Sequence, residues 1–164
     1  MDHILYDSKT LSSSAVTATL FQEAVGSKTN GYFECNMGTV GQLPDPQSFV
    51  IKAISKAFLP DAVLADVIAL DLGWCEFSLN NETLIGPLPI FVFPQACGIQ
   101  VMPDAGSTGT TVPAIGAGAS VKNLFVLEKP LTIPSGANFK WEFTWPTAPN
   151  AKTFYWLMHG ELFR

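Results

Sequence analysis

The sequence predicts an all-β domain, a single eight-stranded jelly-roll barrel or sandwich with one short helix near residues 60–70. Three observations carry this. Phe139, Trp141, Phe143 and Trp145 fall on every second position of one segment, with Asn138, Lys140, Glu142 and Thr144 between them. Successive side chains of a strand point to opposite faces, so the four aromatics share one buried face and form a core. Parallel strands are covered on both sides and read as unbroken apolar runs, so this alternation indicates an antiparallel sheet packed on a second layer. Finally, about eight short strands are separated by Pro, Gly and Asn turns without any repeat of fixed period, which suits a jelly roll.

The elements follow in chain order. Residues 1–14 sustain no period of 2 or 3.6 and are expected to be an N-terminal arm, leaving residues 15–164 as the single jelly-roll domain. Strands are expected at 16–24, at 33–37 and, after the Pro44-Asp45-Pro46 turn, from Phe49 to Phe58. Pro60 and Asp61 are expected to open the helix, because Val63, Val67 and Leu70 with Leu64 and Ile68 recur at helical spacing up to Gly73. Residues 74–79 and 82–85 read as a hairpin closed by Asn80 and Asn81, since asparagine tolerates the positive φ of a tight turn. A Pro-bounded apolar strand is expected at 87–93. Residues 105–120 are nearly all Gly, Ala, Ser and Thr and are expected to be a flexible loop. Further strands are expected at 121–127, 131–133, 137–145 and 153–163, with turns at Pro134-Ser135-Gly136 and at 146–150.

Composition narrows the function. The 164 residues carry a formal net charge of −5, with 14% charged and 48% hydrophobic residues. Such a chain is too apolar for disorder and too acidic to track a phosphate backbone, so no direct nucleic-acid contact is expected. Between Thr83 and Val121 the sequence has a single charge, Asp104. That stretch must be buried, be loop, or lie against another chain. Pro87, Pro89, Pro94 and Pro103 interrupt it too often for a membrane-spanning helix. Asp2, Asp7 and Lys9 leave no apolar leader at the N-terminus, so the chain is expected to stay where it is made. Cys35, Cys75 and Cys97 lack zinc-binding or redox spacing and are expected to be free thiols.

Residues suited to catalysis are few. His3 and His159 are the two histidines, too far apart in sequence to indicate a triad or a three-histidine metal site. The Gly- and Thr-rich run at 106–111 lacks the Gly-Lys-Ser/Thr ending of a phosphate loop. Asp61, Asp66, Asp71, Glu142 and Glu161 are scattered, and nothing marks two of them as an acid–base pair. The chain is therefore expected not to be an enzyme, with no cofactor, metal or small-molecule substrate. Trp74, Tyr155 and Trp156 could stack on sugar rings if exposed, which makes a carbohydrate-binding sandwich of the receptor-binding or spike type the alternative. A hydrolase on the same sandwich ranks last, because no acid and base can be named.

The run Leu131-Thr132-Ile133-Pro134-Ser135-Gly136-Ala137-Asn138-Phe139, the aromatic strand after it, the C-terminal Leu157-Met158-His159-Gly160-Glu161-Leu162-Phe163-Arg164 and the earlier Gly86-Pro87-Leu88-Pro89-Ile90-Phe91-Val92-Phe93-Pro94 resemble viral jelly-roll capsid proteins. The likeness covers about the last 90 residues. It is greatest to the smaller of the two single-jelly-roll major capsid proteins of tailless, icosahedral, membrane-containing Thermus-type bacteriophages. The resemblance implies a virion coat subunit, assembled in the host cytoplasm, that co-assembles with copies of itself and a second, larger coat protein around an internal lipid membrane. Val112, Pro113 and Ile115, the sizeable apolar residues of the 105–120 loop, are then the expected interface anchors. Tyr155 and Leu157, on the outer face of the last strand, are expected as a second contact. The paired Asn80-Asn81 sits poorly with a heat-stable particle.

Overall fold

A computed structural model describes residues 1–58, 64–95, 99–101, 113–115, 124–149 and 153–164. It contains β1 (Asp2–Thr10), β2 (Thr17–Leu20), β3 (Ser48–Phe58), α1 (Leu64–Asp71), β4 (Trp74–Leu79), β5 (Glu82–Pro89), β6 (Ile99–Val101), β7 (Pro113–Ile115), β8 (Phe125–Ile133), β9 (Phe139–Thr144) and β10 (Thr153–Phe163). Eight of these strands form two antiparallel four-stranded sheets, ordered β1-β10-β3-β8 and β2-β9-β4-β5. The chain passes repeatedly from one sheet to the other, so that, apart from the β4–β5 hairpin, neighbours in a sheet are distant in sequence and the layers close face to face. This is a jelly roll. Strands β6 and β7 pair separately as a two-stranded ribbon.

The aromatic strand lies where its alternation places it. Phe139, Trp141 and Phe143 of β9 and Trp145 just beyond it are buried. They meet Phe154, Trp156, Met158 and Leu162, the inward positions of β10. The Trp141 and Trp156 rings are 5.0 Å apart across the layers, and Phe143 touches Trp156 at 5.0 Å and Phe154 at 5.3 Å. The Trp141 indole N–H donates to the Met158 sulfur at 3.4 Å. Phe93 closes one end of the core, 4.7 Å from both Phe125 and Trp156.

Strand β3 changes phase midway. Phe49 and Ile51 face the core opposite Leu162 and Gly160, then a bulge at Lys52 lets Ile54, Lys56 and Phe58 face it instead, opposite Met158, Trp156 and Phe154. Gly160 is required there, because a Cβ would lie 1.8 Å from the Val50 carbonyl oxygen. Helix α1 buries Val67 and Leu70 and is fastened at its end by the Trp145 indole N–H, which donates to the Leu70 carbonyl at 2.9 Å.

Several boundaries differ from the sequence expectations. Most of the expected arm is β1, paired along its length with β10. Its inward positions are His3, Leu5, Asp7 and Lys9, so polar residues on the core side hide the alternation. Strand β2 is shorter than the expected 16–24 and stops before Phe21, whose φ is 65°. Residues 33–37 form no strand: a 3-10 turn covers Gly31–Phe33, and Cys35 makes a single bridge to Asp7. The expected 87–93 strand divides into the end of β5 and a 3-10 turn at Ile90–Val92. Two expected strands, 121–127 and 131–133, supply one strand, β8, in which residues 127–130 bulge between pairs with β3. Asn80 and Asn81 close the β4–β5 hairpin at φ 50° and 66°. The helix opening at Pro60 and Asp61, and most of the 105–120 loop, lie outside the described residues.

Replacing Trp141 by Ala is expected to cost about 3–5 kcal/mol in denaturant unfolding, because it removes the indole that spans the layers. Lys140→Ala, on the outer face of the same strand, is expected to stay within about 0.5 kcal/mol. The opposite order would mean that the faces of β9 are reversed.

Candidate functional site

Three parts of the molecule concentrate chemistry: an ionic knot at β1, a lysine carried inward by β3, and the outer surface. At the knot, Asp7 faces the core from β1 and is 1% exposed as a side chain. Its carboxylate accepts from the backbone N–H of Ser8 at 2.8 Å, from that of Phe21, and from the Lys28 ammonium at 2.9 Å. Lys28, with its side chain 5% exposed, also donates to the Ser8 carbonyl at 2.9 Å and lies 3.3 Å from Glu23. Burial alone lowers the Lys28 ammonium, but Asp7 and Glu23 reverse this and hold it above its ordinary value. Phe21 sits at a positive φ that is costly for a bulky residue. The Asp7 carboxylate and the packing of its ring on Phe139 keep it there.

The second group follows from the β3 bulge. Lys56 faces the core beside Trp156 and is 2% exposed. Its ammonium donates to the Asp71 carboxylate at the end of α1 and to the Ile90 carbonyl at 3.1 Å. Burial holds it below the usual lysine range, partly offset by Asp71. Both ionic groups join elements of the scaffold, and Lys28 also lines a polar surface cleft with Lys9, Glu23 and Glu34. A phase change from Phe49 and Ile51 to Ile54 and Phe58 is the sequence trace that locates Lys56 inside. Nothing comparable marks Asp7.

On the outer face of the β1-β10-β3-β8 sheet, the Ser55 hydroxyl and His159 Nε2 are 2.7 Å apart. The pair has the composition of a nucleophile and base, yet Ser55 is fully buried, so it cannot reach a substrate. Tyr155 and Leu157 share this face and are partly buried, with Phe33 edge-on to Tyr155 at 6.0 Å. Pro113 and Ile115 lie in β7, while Val112 is outside the described residues. Of the three residues considered as a sugar platform, Trp156 is fully buried and the Tyr155 hydroxyl is enclosed, leaving Trp74 at 39% exposure. Cys35 and Cys75 are free and buried. Burial pushes the Cys75 thiol well above its ordinary value, so it is inert. Cys97 lies outside the described residues. Among the described residues no three metal-ligating side chains converge.

What the surface does offer is apolar. Ile68, Leu72 and Phe91 are each more than half exposed, and Trp74 lies beside them, directly opposite Pro89 in the β4–β5 pair. Tyr32 and Phe33 protrude together from the 3-10 turn at Gly31–Phe33. Sheet edges are guarded: Asn36 occupies the free edge of β1, taking the Tyr6 N–H at 2.9 Å and donating to the Ile4 carbonyl at 2.7 Å. No protein-family model matches the sequence, and no curated protein or solved structure matches it either.

His159 provides a pH prediction. Burial holds its imidazole below the ordinary value, so the folded chain favours the neutral ring. Its contribution to stability is complete above the unfolded pKa of about 6.5 and is lost as the pH falls. The melting temperature is therefore expected to drop between about pH 7 and pH 5, and to drop less in His159→Gln. An equal drop in the variant would show that His159 is not the titrating group.

Proposed function

We propose that the chain is a structural coat subunit that tiles with copies of itself and a second, larger coat protein into an icosahedral shell. The observation that carries this reading is the apolar corner formed by Ile68, Leu72, Trp74 and Phe91 on a jelly roll whose edges are closed to strand addition. Strand β2 is four residues long, β5 carries Gly86 and Pro87, and β8 bulges at Glu128-Lys129-Pro130. With β1 covered by Asn36, neighbours meet through side-chain faces and corners rather than through shared sheets. The resemblance of the C-terminal segments to small phage coat proteins supports the same reading, as does the net charge of −5, which suits a shell with lipid rather than nucleic acid beneath it.

The reading is tested by assembly. The chain, expressed alone and with a candidate larger coat protein, is expected to form oligomers or particles by light scattering and electron microscopy. Leu72→Lys with Phe91→Lys is expected to leave the melting temperature nearly unchanged and abolish those particles. A strict monomer in both settings would contradict the proposal, and undiminished assembly by the double variant would place the contact elsewhere.

A further inference from the structure

Besides closing the β4–β5 hairpin, the Asn80-Asn81 turn borders a cleft. Its 170 Å³ are lined by Gln22, Ser78, Asn81, Asn138, Phe139 and Lys140, where the end of β2, the β4–β5 turn and the start of β9 meet. Pockets for drug-sized ligands run about 300–1,000 Å³, so this one has room for a single small ring.

The Gln22 and Asn138 amides are each anchored by one end. Gln22 Nε2 donates to the Phe139 carbonyl at 2.9 Å, and Gln42 Nε2 donates to Asn138 Oδ1 at 2.7 Å. The main chain of Asn138 is clamped by Asn80, whose Oδ1 accepts from the Asn138 N–H at 3.0 Å and whose N–H donates to the Asn138 carbonyl at 2.7 Å. Gly41 makes room for the Gln22 anchor, because a Cβ there would lie 2.7 Å from Gln22 Nε2. These contacts leave Gln22 Oε1, Asn138 Nδ2, the Asn81 amide and the Ser78 hydroxyl without a hydrogen-bond partner among the described residues. Ser78 is 6% exposed and lines this cleft.

A fixed set of amide acceptors and donors with one hydroxyl matches the alternating donors and acceptors of adjacent sugar hydroxyls. The charge at the cleft is balanced, since the Lys140 ammonium is 3.0 Å from the Glu142 carboxylate. An anionic ligand therefore gains little. From this we infer that the cleft binds a neutral polyhydroxylated ring, a single pyranose sugar or the terminal residue of a glycan. This site is distinct from the Trp74, Tyr155 and Trp156 positions. The Phe139 ring is buried in the core and offers no stacking surface, so the expected Kd is about 1 mM or weaker.

The test is an NMR titration of the intact chain with glucose, galactose, mannose, N-acetylglucosamine and glucuronate, following side-chain amide signals. At least one neutral sugar is expected to shift the Gln22, Asn81 and Asn138 amides saturably. Asn81→Gly, which keeps the positive φ, and Ser78→Ala are each expected to weaken binding about fivefold with the fold retained. The inference is overturned if no neutral sugar gives saturable shifts up to about 50 mM. It is equally overturned if glucuronate alone binds, or if neither variant weakens binding. Assembly does not enter this readout, so its failure and that of the coat reading are separable.

Discussion

The Trp141 and Trp156 indoles meet 5.0 Å apart between the sheets, and the rest of the structure is arranged around keeping that contact dry. Each belongs to a strand that is flanked on both sides in its own sheet, β9 by β2 and β4 and β10 by β1 and β3. Large aromatics bury more area than any aliphatic side chain, and pairs at tilted or edge-on angles add to this. Phe93, Phe143 and Phe154 extend the contact, with Phe93 and Phe143 each edge-on to Trp156. The Trp156 indole N–H has no hydrogen-bond partner among the described residues.

Such a core constrains everything that crosses it. The bulge in β3 lets Ile54 and Phe58 follow β10 while Lys52 is turned to the surface, where it pairs with Glu161. The same shift carries Lys56 inward, and a buried ammonium is tolerated only with a carboxylate and a carbonyl around it. Asp71 and Ile90 supply them, which ties the helix and the turn after β5 to the opposite sheet. Ile68 and Phe91 of the apolar corner stand on these same two elements, and Leu72 follows directly on the helix. The surface proposed for assembly is thus positioned by an internal ion pair.

The legible parts of the fold were those where one side of a strand is apolar throughout. In β9 and β10 the inward residues are aromatic or aliphatic at nearly every second position, and both strands are readable to within two residues. β1 was illegible because its inward side holds His3, Asp7 and Lys9, each compensated by tertiary partners that no local pattern announces. The candidate site was less readable still. The exposure of Trp74 is not legible because it opens β4, a strand of six residues with too little alternation to fix the face of its first side chain. The cleft beside Asn81 brings together residues from 22 to 140 in sequence, so only the paired asparagines hinted at it.

Hydrogen exchange at the indole N–H groups tests the account of the core most directly. If the two sheets close on Trp141 and Trp156, their indole protons exchange only through global unfolding, with the free energy measured by denaturant, while that of Trp74 exchanges quickly. A Trp156 indole proton that exchanges as fast as that of Trp74 would contradict the face-to-face packing on which the jelly roll rests.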